Sequence, residues 1–398
     1  MITVEEAQNI VATTIHDFGI VEVPLGEAVG RVLREDLFAD RDFPPYHRVT
    51  MDGIAIQFQS FQDGNRSFPI EGVAAAGAVQ QTLKEGSNCL EVMTGSILPN
   101  NTNTVIRYED LDIQNGIATI QVDTLVDGQN VHNKGEDRLQ NSKVVTGGKI
   151  ISPAEVGVAA TVGKAMLKVS RLPKAIIIST GDELVEIDDS PLPHQIRKSN
   201  VHRLKATFAH HGIVADTAHL NDNFEEILAQ LKSVLENYEI VMMSGGVSKG
   251  KFDFLPDALK TLGVTKLFHK IKQRPGKPFW FGKAPSGATV FALPGNPVSS
   301  FMCTQIYFVP WLKSCLQLSD VVLPTAILQR DTTFKPDLVY FLQVKVSYNN
   351  QGQILATPVD GNGSGDLANL VDADAFLRLP RGKDLFEKGE YFPLVFYR

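Results

Sequence analysis

The sequence predicts a multidomain α/β protein: a central parallel sheet covered by helices, preceded by a β-rich insert and followed by a β domain. Three observations carry this. From Lys174 to about residue 318, short apolar runs alternate with helical patterns at close spacing, which marks βαβ units. Between about 48 and 138, the runs GIAIQF, CLEVMTG, NTVIRYED and GIATIQV alternate with Gly, Asn and Asp turns. From about 319, DLVYFLQVKVSYNNQGQILATPV reads as a hairpin about an Asn-Asn-Gln-Gly turn, and FLRLPRGKDLFEKGEYFPLVFY as further strands. A chain of 398 residues holds two to four domains at about 100–200 residues each.

Taken in order, residues 4–18 place Val4, Ala7, Ile10, Val11, Thr14, Ile15 and Phe18 at helical spacing, with Thr3 or Glu5 helping to start the helix. LGEAVGRVLRED reads as a short second helix, and RDFPPYHRVTMDG as a proline-bearing linker with a boundary near residue 45. Residues 139–172 return to short strands and a small-residue helix. KAIIIST is a continuous apolar run that suits a strand buried on both faces. The helix VHRLKATFAHHG, with Gly212 as its C-cap candidate, follows a loop. Next come the strand IVADTAHL, the helix NFEEILAQLKSVLENY, the strand EIVMMSGG, the helix FLPDALKTLG and the strand VTKLFHKI. The strand ATVFALPGN leads into PVSSFMCTQIYFVPWLKSCL, a helix long and apolar enough to pack in a core or an interface.

Composition narrows the function. The chain is 43% hydrophobic and 21% charged, as in ordinary globular proteins, and its net charge of −7 speaks against a nucleic-acid binder. An anionic ligand must therefore meet a local basic cluster. Cys89, Cys303 and Cys315 are odd in number and widely spaced, which argues against a disulfide framework or a zinc site and fits a reducing cytoplasm. The acidic, interrupted N-terminus does not read as a signal peptide, and no run reaches the length of a membrane span.

Ligands of open α/β sheets bind beyond the carboxyl ends of the strands. Four loops leave such ends here: STGDEL (179–184), NDNFEE (221–226), SGGVSKGKFD (244–253) and LPGNPVS (293–299). In SGGVSKG, backbone N–H groups unshielded by side chains suit an anion nest, and Asp253 sits where the next helix would take its cap. The same residues also read as a tight turn with an ordinary cap. Asn296 and Pro297 are equally a standard helix start. KIKQRPGKPFWFGK gathers Lys270, Lys272, Arg274, Lys277 and Lys283. Strand alternation puts the first three on one face, as an oxyanion site or as a protected edge strand. Asp182, Glu183 and Asp222 follow strands, where carboxylates suit Mg²⁺ or simply begin a helix or turn. In the insert, VTMDGIA (49–55), VMTGS (92–96) and NVHNKGEDR (130–138) are polar knots that composition alone leaves as turns or sites. His47, His132, His210 and His211 show no metal-ligand spacing.

TMDG, MTGS, GED, STGDEL, SGGVSKGKFD, RPGKPFWFGK and LPGNPVS, in this order, strongly resemble the molybdopterin molybdenumtransferase family, which includes MoeA proteins and the gephyrin E domain. The resemblance runs from about residue 3 to 380. It implies a central sheet domain of the molybdopterin-binding type and a β-barrel-like C-terminal domain. The implied boundaries are 1–23 with 173–318 for the α/β domain, 24–44 with 139–172 for a small linking domain, 45–138 for the insert and 319–398 for the last domain. The implied reaction inserts molybdate into adenylylated molybdopterin and releases AMP, with Mg²⁺ as cofactor. Asp52, Thr94, Asp137, Asp253, Lys270 and Arg274 match the family's catalytic positions. Glu183, Asp222 and Asp253 match its acids for the metal. Ser244, Gly245, Gly246, Ser248, Pro294, Gly295, Asn296 and Pro297 match its ligand loops. The family is a homodimer whose site lies between one subunit's α/β domain and its partner's insert. A molybdopterin adenylyltransferase and apo-molybdoenzymes are further implied partners.

Four positions depart from the family pattern. His132 stands where an Arg is usual, Arg274 replaces Lys, Lys251 occupies a place where relatives often carry an acid, and Ile54 replaces an aromatic. Two other functions fit the same motifs: a molybdopterin adenylyltransferase, which would need ATP, and a pterin-binding or scaffold protein without turnover.

Overall fold

The computed structural model describes residues 1–221, 223–246, 254–318 and 322–398. Its central sheet has six strands: β1 (Ala175–Thr180), β2 (Ala215–Leu220), β3 (Ile240–Ser244), β4 (Thr265–His269), β5 (Trp280–Lys283) and β6 (Thr289–Leu293). Their order is β2-β1-β3-β6-β5-β4. The first four in that order are parallel. The last two run antiparallel to their neighbours, so the sheet is mixed where a parallel one is predicted. The reason is connection length: a parallel return needs a crossover of about a dozen residues or more, and the turns on both sides of β5 are shorter. The basic run's WFGK segment is therefore an interior strand with Trp280 and Phe281 fully enclosed, and β4 forms the edge.

The apolar run at β1 is buried on both faces as expected. Ala175 and Ile177 join one core with Met242 and Phe291, while Ile176 and Ile178 join the other with Val241 and Val290. Helices Ser199–His210 and Val4–Ala12 cover the first face. Helices Phe224–Asn237 and Leu255–Thr261 cover the second.

The N-terminal helix spans only Val4–Ala12. Thr3 and Glu6, rather than Glu5, form its capping box. It stops because the hydroxyls of Thr13 and Thr14 donate back to the carbonyls of Ile10 and Val11, both at 2.7 Å. The second helix predicted in LGEAVGRVLRED is a single 3₁₀ turn, Leu25–Glu27. Gly30 takes φ +80° there, and Val32 and Leu33 bridge to Ile150 and Val169 instead. The long helix from Pro297 to Cys315 is present, with a π-helical turn over Thr304–Phe308 just before Pro310. A proline lacks its N–H and its ring crowds the carbonyl four residues back, and a wider turn relieves both.

The insert forms a six-stranded sheet containing Gly53–Ile56, Cys89–Val92 and Thr104–Arg107. At the C-terminus, Thr325–Leu328, Val339–Tyr348, Ile354–Pro358, Ala375–Leu379 and Tyr391–Phe396 pair in a ring, because Val339–Tyr348 contacts both Ile354–Pro358 and Ala375–Leu379. The ring is a closed five-stranded barrel, with Phe376, Leu377 and Leu394 wholly buried. Among the described residues, no helix is long and apolar enough to cross a membrane.

One pH response follows from the end of helix Ser199–His210. Burial, with the nearby charges of His210 and Lys313, pushes His211 from 6.5 down to about 4. The unfolded chain then binds a proton that the folded chain refuses, so stability falls as the pH drops through this window. Thermal unfolding scanned from pH 7 to pH 4 should show a shallower decline in His211→Gln than in the parent. Parallel curves would rule out this histidine as a source.

Candidate active site

The carboxyl ends of β1, β3 and β6 open into a cleft of about 570 Å³. Ser244, Gly245, Gly246, Glu183, Pro294, Gly295, Asn296 and Pro297 all line it, so the structure gathers three of the four predicted loops, and no described residue of NDNFEE (221–226) is among the lining. Gly245 (φ +101°) and Gly246 (φ +69°) turn the chain in a region that L side chains avoid. The Gly245 N–H donates to the Leu293 carbonyl at 3.1 Å, tying the β3 loop to the β6 strand end. Glu183 is exposed, and its carboxylate folds back over Gly181, where an added Cβ would lie 2.4 Å from Oε2. Ser248, Asp222 and Asp253 lie outside the described residues. Phe254 takes the N-cap position of Leu255–Thr261.

A second cavity, of about 520 Å³, adjoins the first and shares Pro278, Pro294 and Asn296 with it. Arg274 and Lys277 line it, together with Gln343, Asn362 and Asn369, and no Asp or Glu is among its described lining residues. Gln343 belongs to the barrel. Its Oε1 accepts from Asn369 at 3.2 Å, while its buried Nε2 has no partner. A donor left this way inside a protein invites an acceptor. The barrel also latches the LPGNPVS loop. Asn296 caps its helix by backbone position only; its Nδ2 donates to Ser364 Oγ at 2.8 Å, and Val298 N–H to the Ser364 carbonyl.

The basic segment is only partly a strand. Burial alternates, with Ile271 and Gln273 fully enclosed between the more open Lys270, Lys272 and Arg274. Regular strand covers just Gln273–Arg274, and Lys270 takes φ +76°. Lys270 lines neither cavity. Gln273 supports the loop from beneath: it accepts from Tyr307 Oη at 2.5 Å and donates to the Gly276 carbonyl at 3.0 Å.

The insert residues form a separate cluster. Thr94 donates to Asp52 Oδ1 through its N–H at 2.6 Å and its hydroxyl at 2.8 Å, which holds that carboxyl below its ordinary range. Asp137 Oδ1 lies 3.1 Å from His132 Nε2. The three polar knots converge on the strand Arg48–Val49, which pairs with Val131–His132, while Gly95 N–H donates to the Val49 carbonyl. Asp52, Thr94 and Asp137 line neither cavity of the α/β domain.

Sequence reasoning missed Lys198, Asn200 and Arg203. The helix begins at Ser199, not Val201, which turns Asn200 into the cleft. Its Nδ2 donates to Ser244 Oγ (2.9 Å) and to the Gly295 carbonyl (2.6 Å). Arg203 donates to the Pro297 carbonyl and to Ser300 Oγ, both at 2.7 Å. Lys198 is paired with Glu186 at 2.5 Å. The available signal was the Arg-Lys-Ser-Asn run before the helix.

These features are those of an α/β enzyme with a small-residue cleft at its strand ends, beside a basic chamber whose described lining residues include no Asp or Glu. Residues 176–314 match a probable molybdopterin binding domain, residues 2–163 the MoeA N-terminal region (domain I and II) and residues 325–396 the MoeA C-terminal region (domain IV). The molybdopterin molybdenumtransferase of Synechocystis is 38% identical over 99% of both chains. That of Bacillus subtilis is 28% identical over 94% of this chain and 89% of its own. The molybdopterin biosynthesis MoeA protein of Pyrococcus horikoshii superposes with a TM-score of 0.83 at 25% identity, covering 100% of each chain. The chain belongs to the MoeA family of molybdopterin molybdenumtransferases.

Proposed function

We propose that this chain acts in molybdenum cofactor biosynthesis by inserting molybdate into adenylylated molybdopterin, with release of AMP and with Mg²⁺ as cofactor. The observation that carries the reading is the adjoining pair of cavities. A cleft lined by Gly245, Gly246 and Gly295 leaves its backbone unshielded by side chains, which suits a pyrophosphate-bearing ligand, and Asn200 braces it by donating to Ser244 and the Gly295 carbonyl. The chamber beside it, with Arg274, Lys277 and the unpartnered Nε2 of Gln343, suits a tetrahedral oxyanion. Shared walls at Pro278, Pro294 and Asn296 would bring the two substrates together, so orientation and electrostatic stabilisation dominate.

The donor set is compatible with Mg²⁺, which takes one or two carboxylates plus phosphate oxygens and water. Glu183 is the described carboxylate in the cleft, with Asp222 and Asp253 as the remaining proposed ligands. When bound, the cation would neutralise phosphate charge. Asp52, Thr94 and Asp137 act, in this reading, from the insert of a partner subunit in a cytoplasmic homodimer.

Purified protein incubated with adenylylated molybdopterin and Mg²⁺ tests this. Release of AMP that depends on molybdate is expected. Release without molybdate, or consumption of ATP, would reject the proposed reaction, the latter in favour of adenylylation.

A further inference from the structure

We infer that Arg48 is a positioning residue for Asp137, acting through His132. The inference rests on the reading above only in taking Asp137 to face substrate.

The geometry fixes a direction of hydrogen bonding. Arg48 Nη2 lies 3.0 Å from His132 Nδ1. A guanidinium has donors and no acceptor, so Nδ1 must accept and carries no proton. A neutral imidazole then holds its proton on Nε2. That nitrogen lies 3.1 Å from Asp137 Oδ1 and donates to it. Arg48 thus selects the tautomer that lets His132 grip the carboxylate. Without this donor, the Nδ1–H tautomer would turn a lone pair toward Asp137, and the carboxylate would lose its partner.

The backbone makes the arrangement reproducible. His132 and Arg48 are opposite one another in an antiparallel pair, with Val131 opposite Val49 beside them. Cross-strand neighbours of this kind have side chains within reach of each other. Val49 itself is completely buried and anchors the ladder. His132 is about three-quarters covered, with a side-chain exposure of 23%, whereas Asp137 is 56% exposed and open to a ligand. The same strand leads to Asp52, whose carboxylate is held by Thr94. Asp52 and Asp137 are therefore each held by hydrogen bonds within the insert, from Thr94 and His132 respectively. In effect a histidine relays the guanidinium of Arg48 to Asp137.

Two measurements on the full-length protein test this. In ¹⁵N-histidine-labelled protein near pH 7.5, the His132 resonances, assigned by their loss in His132→Gln, should report an unprotonated Nδ1 and a protonated Nε2. Arg48→Met should move the population toward the other tautomer. It should also lower kcat for molybdate-dependent AMP release by about tenfold, the scale on which outer partners of an active group act, with a smaller change in KM. His132→Arg supplies a guanidinium that can reach Asp137 directly, so in that background Arg48→Met should cost little. An Nδ1–H tautomer in the parent would overturn the proposal, and that spectrum needs no variant to fold. So would an unchanged kcat in Arg48→Met, or an equal loss in the His132→Arg background. Asp137→Asn separates the two layers. Full activity there would remove Asp137 from the reaction while leaving the tautomer result standing. A large loss there with none in Arg48→Met would reject the positioning role alone.

Discussion

Gly245→Ala should lower kcat/KM for adenylylated molybdopterin by about one to two orders of magnitude while leaving the protein folded. At φ +101° an L side chain carries about 1–3 kcal/mol of backbone strain. Space is short as well. An added Cβ would sit 2.8 Å from Thr180 Oγ1 and 3.1 Å from the Thr180 carbonyl oxygen. The first contact can yield by rotating a hydroxyl; the second is backbone of the central strand and cannot. The loop must then move away from β1, shifting the backbone that lines the cleft. Ligand affinity should suffer more than global stability, because the sheet beneath is packed on both faces. Combining the substitution with Thr180→Ala relieves only the hydroxyl contact and should recover part of the loss. Wild-type kcat/KM in Gly245→Ala would show that this loop does not meet the substrate.

The sequence was most informative where one side-chain pattern has one physical solution. The β1 run AIIIST can only be a strand buried on both faces, and the strand-end loops after β1, β3 and β6 follow from that topology. The ring closure of the barrel was legible as alternation but not as pairing, because register between distant strands leaves no local mark. The antiparallel β4 and β5 were missed because their apolar content is that of any buried strand. Only the shortness of their connections distinguishes them. The helix predicted in LGEAVGRVLRED failed because periodicity outvoted two glycines, one of which takes positive φ. Lys270 was expected on a regular strand face; its positive φ breaks the strand, although the burial alternation around it survives. Arg203 and Gln273 were invisible for a different reason. Each has a partner far along the chain, Pro297 and Ser300 for Arg203 and Tyr307 for Gln273, and a polar residue in a helix or strand reads as solvent-facing until the fold brings those partners in.

Arg203→Met should destabilise the protein by about 3 kcal/mol, since hydrogen bonds to a charged group contribute roughly 1.5–3 kcal/mol each and the partners left behind are buried (Ser300) or half-buried (Asn200, Pro297). The guanidinium binds three groups from two elements: the Pro297 carbonyl, Ser300 Oγ and Asn200 Oδ1. It also lies over the Phe301 ring, 5.3 Å from its centre. Burial pushes its pKa down to about 10, still well above neutrality, so the charge persists. A buried charge has a desolvation cost, and here the Nε donor has no partner at all. The opposing expectation is therefore a real one: a methionine of similar length could remove that cost and stabilise the fold. Geometry decides against it. Asn200 spends its amide nitrogen on Ser244 and Gly295, and its oxygen depends on Arg203 for a donor. Removing the guanidinium leaves that oxygen without its donor beside the cleft, while the Pro297 carbonyl loses one donor and keeps the Ser300 hydroxyl at 3.1 Å. Arg203→Lys should rescue little, because an ammonium cannot present the planar fork that reaches Pro297 and Ser300 together. Denaturant unfolding of the parent and both variants, with the slope of each transition compared, gives the stability differences. Substrate titration should show a raised KM in parallel, since Asn200 and the Pro297 turn would loosen together. A more stable methionine variant with unchanged KM would mean that the cleft is ordered by the Ser364 latch instead.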